Sequence, residues 1–262
     1  MNTSKPKMSK LPDYPVPALE KGLAIIEALS ASPFPMSLAE LAVELKRSSS
    51  ELFRMLNCLE QRGYITRHAG SGKYGPSLKL FALAHMHSPT EKLLQAARRP
   101  MQTLTEKFSE SCHLSVLDRG HLLVIAQQNS PERVRLSIEV GALFDPVLTA
   151  SGRLLLAQFD EAECASVLAQ RSPQRGRKPA IPAGLGATFA TIRRTGVSTA
   201  ESETIEGVRD LAVLVGDIKA SVIAALAVTR LIRRGQRADE AALLAGMKAT
   251  ATEITRALGL SV

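Results

Sequence analysis

The sequence predicts an α+β fold in two parts: a small helical domain closed by a β-hairpin, then a larger domain whose strands are bracketed by helices. Three observations predict it. Up to about residue 60, apolar residues recur at helical spacing, twice behind an explicit capping pair. After Gly63 the period falls to two around a glycine-containing turn. Beyond residue 88, segments of period two alternate with helical ones, the pattern of an antiparallel sheet flanked by helices.

Residues 1–15 are polar and proline-rich without a signal-peptide core, so they read as a disordered basic arm. The first helix, Ala18 to Ser30, puts Leu19, Leu23, Ile26 and Leu29 on one face and ends at Ser32-Pro33-Phe34-Pro35. In the second, Ser37 and Glu40 form an S-x-x-E capping box ahead of Leu38, Leu41, Ala42 and Leu45. The third repeats the device with Ser48 and Glu51, and its core stripe is Leu52, Met55, Leu56 and Leu59. Two strands, Tyr64 to His68 and Lys73 to Tyr74, then flank the turn Ala69-Gly70-Ser71-Gly72.

Residues 16–75 therefore follow the plan of a winged helix-turn-helix, and the residues left outside its core say what it touches. Ser49, Ser50, Phe53, Arg54 and Asn57 form one solvent-facing strip on the third helix, the part that enters a major groove. Arg54 is the best candidate for a bidentate base contact, with Asn57 second. On the wing, Arg67, His68 and Lys73 fall near phosphates or a minor groove. Double-stranded DNA is the expected partner.

Pro76 opens a linker helix running to residue 88, SLKLFALAHMH, with more apolar side chains than a helix surrounded by water carries. It is expected to pack against the winged domain or a second subunit. Ser88-Pro89 breaks the pattern and places a domain boundary there. In residues 89–262, Leu93, Ala97, Met101, Leu104 and Phe108 line a long helix. CHLSVL (112–117) and HLLVIAQ (121–127) form a hairpin, with Val134 to Ile138 as a third strand. Helices follow at 150–158, 161–169 and 186–195. The strands Leu211 to Val215 and Val222 to Thr229 flank a turn at Gly216-Asp217, and a last helix turns Leu244, Met247, Ala251, Ile254 and Leu258 inward.

At 262 residues with 45% hydrophobic content, the chain can bury two cores. No apolar run reaches the length of a membrane span, so no membrane partner and a cytoplasmic location are expected. The net charge of +8 suits an anionic partner, and the first 85 residues hold 11 Lys/Arg against 7 Asp/Glu, the remainder 22 against 18. The run Arg171 to Lys178 and the cluster Arg230, Arg233, Arg234 and Arg237 read as solubilising loops. Cys58, Cys112 and Cys164 are far apart and lack C-x-x-C spacing, which indicates free thiols rather than disulfides or zinc. His85-x-His87 would point to different faces of a helix and cannot chelate well. No cofactor or metal is called for.

Catalytic patterns are missing as well. Ser151 in ASGRL lacks the glycines of a nucleophile elbow, and Gly184-Leu185-Gly186 lacks the third glycine and preceding strand of a dinucleotide site. An enzyme in the C-terminal domain, tethered to a nucleic-acid-binding module, is the alternative reading, and it has no nucleophile, base and orienter set.

Four stretches in order resemble the IclR-type bacterial transcription regulators, from Val16 to Leu260. VPALEKGLAIIEAL is similar to that family's first helix, and SLAELAVELKRSSSELFRMLNCLEQRGYI to its helix-turn-helix. GALFDPVLTASGRLLLA is similar to the segment entering the effector domain's central helix, and EGVRDLAVLV with ASVIAALAVT to the strands lining its ligand pocket. The resemblance implies a GAF-like effector-binding domain, assembly as a homodimer or dimer of dimers, and a small effector, commonly a carboxylic or aromatic acid from a catabolic pathway. Ser49, Glu51 and Phe53 depart from the family's usual choices on the recognition helix.

The resemblance places Thr149, Ala150, Ser151 and Gly152 at the pocket's helix opening, with Asp210, Ala227 and Thr229 on its strands. Independently of the family, backbone N–H groups at the start of a helix at Ala150 favour an anion, and Gly152 permits a close approach. His113 on the CHLSVL strand is a further polar candidate. A buried Asp210 requires a cation, a donor or a proton, which points to a hydroxyl- or amine-bearing effector; pairing with Arg209 or exposure at a strand end is the competing reading.

Overall fold

The computed structural model describes residues 16–85, 89–170, 184–201, 206–218, 222–231 and 240–260. The N-terminal arm, the run Arg171 to Lys178 and the arginines 233, 234 and 237 lie outside them. The chain divides into two compact units, Met1–Ser88 and Pro89–Val262.

The first unit holds α1 (Pro17–Ala31), α2 (Leu38–Glu44), α3 (Ser49–Gln61), the strands β1 (Ile65–Arg67) and β2 (Tyr74–Pro76), and α4 (Lys79–His85). Both capping boxes are formed. Ser37 N donates to Glu40 Oε2 at 2.6 Å while Glu40 N donates to Ser37 Oγ at 3.2 Å, and Ser48 and Glu51 repeat the exchange. The core is Ile25, Leu29, Leu41, Leu52, Leu56, Ile65 and Tyr74, with Met55 and Leu59 packed against it.

On α1 the buried face differs from the one the sequence suggested. Gly22, Ile25 and Leu29 point inward, while Leu19 and Leu23 are exposed. An apolar residue every third or fourth position was available on two adjacent faces, and helical spacing alone does not choose between them. The antiparallel pair β1 and β2 starts one residue later than expected and takes in Pro76, so α4 begins only at Lys79. Its start is tied down by Ser77 Oγ, which donates to Gly63 O, and by Lys79 Nζ, 4.6 Å from the centroid of the Tyr64 ring. Leu78, Phe81 and Leu83 remain exposed.

The second unit is a six-stranded antiparallel sheet in the order β5-β4-β3-β8-β7-β6. Its strands are β3 (Cys112–Asp118), β4 (His121–Gln128), β5 (Leu143–Phe144), β6 (Val197–Glu201), β7 (Val208–Asp217) and β8 (Val222–Leu231). One face packs on α5 (Pro89–Phe108) and α9 (Glu240–Ala257) through Leu114, Leu211, Val213, Leu226 and Val228. Those helices approach closely: a Cβ on Gly246 would lie 2.3 Å from Phe108 Cε2. The other face carries Ala212, Ala225 and Ala227 under α6 (Ala150–Leu156) and α8 (Leu185–Thr195), with α7 (Glu161–Ala169) alongside.

Two expectations fail, and one strand was not foreseen. Val134 to Ile138 forms no strand; the third strand of that edge is β5, which pairs Leu143 and Phe144 with Leu123 and Leu122. Valine and isoleucine supplied the pattern, yet Val134 is exposed and has no sheet face to bury. β6 was not foreseen, because VSTAE has one large apolar residue and gains its place by pairing with β7. Gly216 and Asp217 lie inside β7 rather than in a turn. Gly216 has φ +94°, and a Cβ there would meet Val222 O at 2.0 Å.

Candidate functional site

On α3 the boxes fix the N-terminus, and the outward strip follows from where Leu52 and Leu56 are buried. Ser49, Ser50, Phe53 and Arg54 are exposed and Asn57 is half-buried, so all five stand together on the accessible side of one helix. The capping glutamates are each used twice. Glu51 Oε1 accepts from Lys21 Nζ of α1 at 2.8 Å, and Glu40 Oε1 from Lys73 Nζ at 3.0 Å. Lys21 and the Ser48 N–H hold the Glu51 carboxyl at about 2, and for Glu40 the Ser37 N–H followed by Lys73 does the same.

The wing positions its basic residues through its own turn. Gly72, with φ +67°, lets the chain reverse, and Gly72 N donates to His68 O at 2.8 Å. Arg67 Nε donates to Gly72 O at 3.3 Å, and its guanidinium lies 5.6 Å from the Tyr74 ring centroid. Lys73 is pinned to α2 through Glu40, while His68 is exposed. Of the three, Arg67 and Lys73 reach outward only from geometries already set by protein partners. Cys58, near the other end of α3, is exposed.

In the second unit, strand alternation and register bring four of the proposed effector residues to one face. His113 stands opposite Ala227, and Thr229 opposite Asp210. His113 is buried, and that burial holds its imidazole at about 4, that is, neutral. Burial also raises the Asp210 carboxyl, against a smaller opposing pull from the Thr229 hydroxyl, and Asp210 Oδ1 has no hydrogen-bond partner.

The segment 149–152 behaves differently from its reading as an anion cradle. Thr149 Oγ1 accepts from Gly152 N at 3.1 Å, so the helix is capped by its own side chain. A Cβ on Gly152 would lie 2.3 Å from Pro146 Cα and O, so the close approach this glycine permits is that of the protein backbone. Ala150 and Ser151 are buried. Asp210 is not paired with Arg209, whose Nη2 donates to Glu240 at 3.1 Å.

Two residues of this face escaped sequence reasoning. Ser115 and Ser198 are buried, and neither Oγ has a partner. Ser115 lies two positions beyond His113, so period two would have found it; Ser198 lies on the unforeseen β6. Cys112 and Cys164 are buried thiols, and burial raises both, Cys112 to about 11. Among the described residues no three His, Cys, Asp or Glu side chains gather as metal ligands, and no helix is long and apolar enough to cross a membrane.

Comparison with known proteins gives two family matches. Residues 18–69 match the IclR helix-turn-helix domain, and residues 87–256 match the bacterial transcriptional regulator IclR C-terminal domain. The chain is 29% identical to the HTH-type transcriptional regulator KdgR of Dickeya chrysanthemi over 85% of its own length and 73% of the relative's. It is 25% identical to the Pca regulon regulatory protein of Pseudomonas putida, over 87% and 78%. Among solved structures, an IclR homolog from Microbacterium hydrocarbonoxydans complexed with 4-hydroxybenzoate has a TM-score of 0.76 at 20% identity, covering 93% of this chain and 100% of that one.

Proposed function

The chain belongs to the IclR family of bacterial transcriptional regulators, and from that premise we propose that it is an effector-responsive regulator of a catabolic operon. It is a transcriptional regulator with a DNA-binding helix-turn-helix and an effector-binding C-terminal domain, and not an enzyme. The recognition surface is Ser49, Ser50, Phe53, Arg54 and Asn57, assisted by Arg67, His68 and Lys73 of the wing. Two subunits, as a homodimer or dimer of dimers, read an inverted repeat, since a two-fold pair of recognition helices requires two-fold sites. The effector is a small organic acid, carboxylic or aromatic, received near His113, residues 149–152, Asp210, Ala227 and Thr229.

The observation that carries this reading is the face of β3, β7 and β8 on which His113, Asp210 and Thr229 are gathered with unsatisfied polar atoms. Binding there alters DNA affinity by favouring one of two arrangements of the oligomer, which requires unequal affinity for the two. The test is selection of duplexes from a random pool by the purified chain, followed by titration of small organic acids into the selected complex. An inverted repeat whose affinity shifts with one of the acids is the expected result; recovery of no preferred sequence overturns the regulator reading.

A further inference from the structure

The unsatisfied atoms share a chemistry. Ser198, Ala212, Ala227 and His113 occupy one row across β6, β7, β8 and β3, and Asp210 and Thr229 sit side by side in the next row on the same face. Adjacent strands lie about 4.8 Å apart, so these polar groups are grouped around the alanines on which α6 packs. Ser198 Oγ, at 1% residue exposure, Ser115 Oγ, at 0%, and Asp210 Oδ1 all lack partners. Buried polar groups are nearly always satisfied, so several orphans on one face mark a place where a bound molecule completes them.

The same face offers no positive charge among the described residues of these four strands. His113 is neutral, and the arginines next to Asp210 and Thr229 alternate to the opposite face. There Arg209 pairs with Glu240, and Arg230 with Glu110 at 3.5 Å. A carboxylate brought against Asp210 would meet an acceptor with no cation from these strands between them. A hydroxyl or amino group would donate to Oδ1 and complete it.

We propose that the effector presents a hydroxyl or amino group to Asp210 beside Thr229, so that hydroxylated or aminated organic acids are selected over unsubstituted ones. The proposal rests on the effector-binding reading above and adds the chemical class.

The test is calorimetric titration of the full chain with two matched sets, benzoate with 4-hydroxybenzoate and 4-aminobenzoate, and propionate with lactate and β-alanine. In at least one set, a substituted acid binds about tenfold more tightly than its parent, as expected for one hydrogen bond to a half-buried carboxyl. Asp210→Asn abolishes that preference and Thr229→Val reduces it, with circular dichroism confirming the fold of each variant. Where Asp210→Asn does not fold, an unchanged preference in Thr229→Val overturns the proposal. Equal binding of parent and substituted acids also overturns it while leaving the effector reading intact, and failure of every compound to bind overturns both.

Discussion

Gly152 illustrates how one residue supports two different arguments. In sequence it suggested room for a ligand; in the fold its missing side chain admits the backbone of Pro146. Gly152→Ala is expected to lower stability by about 1–3 kcal/mol or more, the usual range for forcing extra atoms into a packed site, measured by urea denaturation. His113 gives a prediction in pH. Its native value of about 4 lies below its ordinary 6.5, so the unfolded chain takes up the proton first. Its contribution to stability is complete above pH 6.5 and is lost as pH falls toward 4. Denaturation curves for wild type and His113→Gln should therefore converge on acidification through that window; parallel curves would show that His113 is not buried as a neutral group. Asp210 was legible as an acid in need of a partner, but that Arg209 does not supply it depended on Glu240, which lies 31 positions from Arg209 and is invisible to local pattern.

At the level of elements, the two capped helices were legible because their signals are local: the caps, the stripes and the exposed strip all lie within one or two turns. The wing's electrostatics were not, since Lys73 and Glu40 meet only after the hairpin folds back beside α2. The same distinction explains β5 and β6. Neither has an autonomous pattern, and each exists because a neighbouring strand offers hydrogen bonds. For α3, Arg54→Ala should reduce affinity for a selected operator by about 1–3 kcal/mol and relax preference at one base pair. Lys73→Ala should weaken all duplexes alike and reduce the salt dependence of log affinity by about one. Quantitative band-shift titrations at several salt concentrations separate the two, and equal loss of sequence preference in both variants would refute the assigned division of labour.

Across the whole molecule, fold class and family were legible because four stretches kept their order through nearly the full chain, and both family matches agree with it. Charge was less informative: the surplus is shared between the first 85 residues and the rest, so no total identifies the DNA-binding part. Thiol placement offers a practical lever. Of the three cysteines, two are buried in the second unit with raised thiols, and the exposed one stands on the recognition helix, one turn beyond Arg54. A maleimide dye added to the unaltered native protein should thus attach at a single position, and its rate of attachment should drop when cognate duplex covers α3. The regulator carries its own attachment point for a fluorescent reporter of operator occupancy, with no engineered cysteine required.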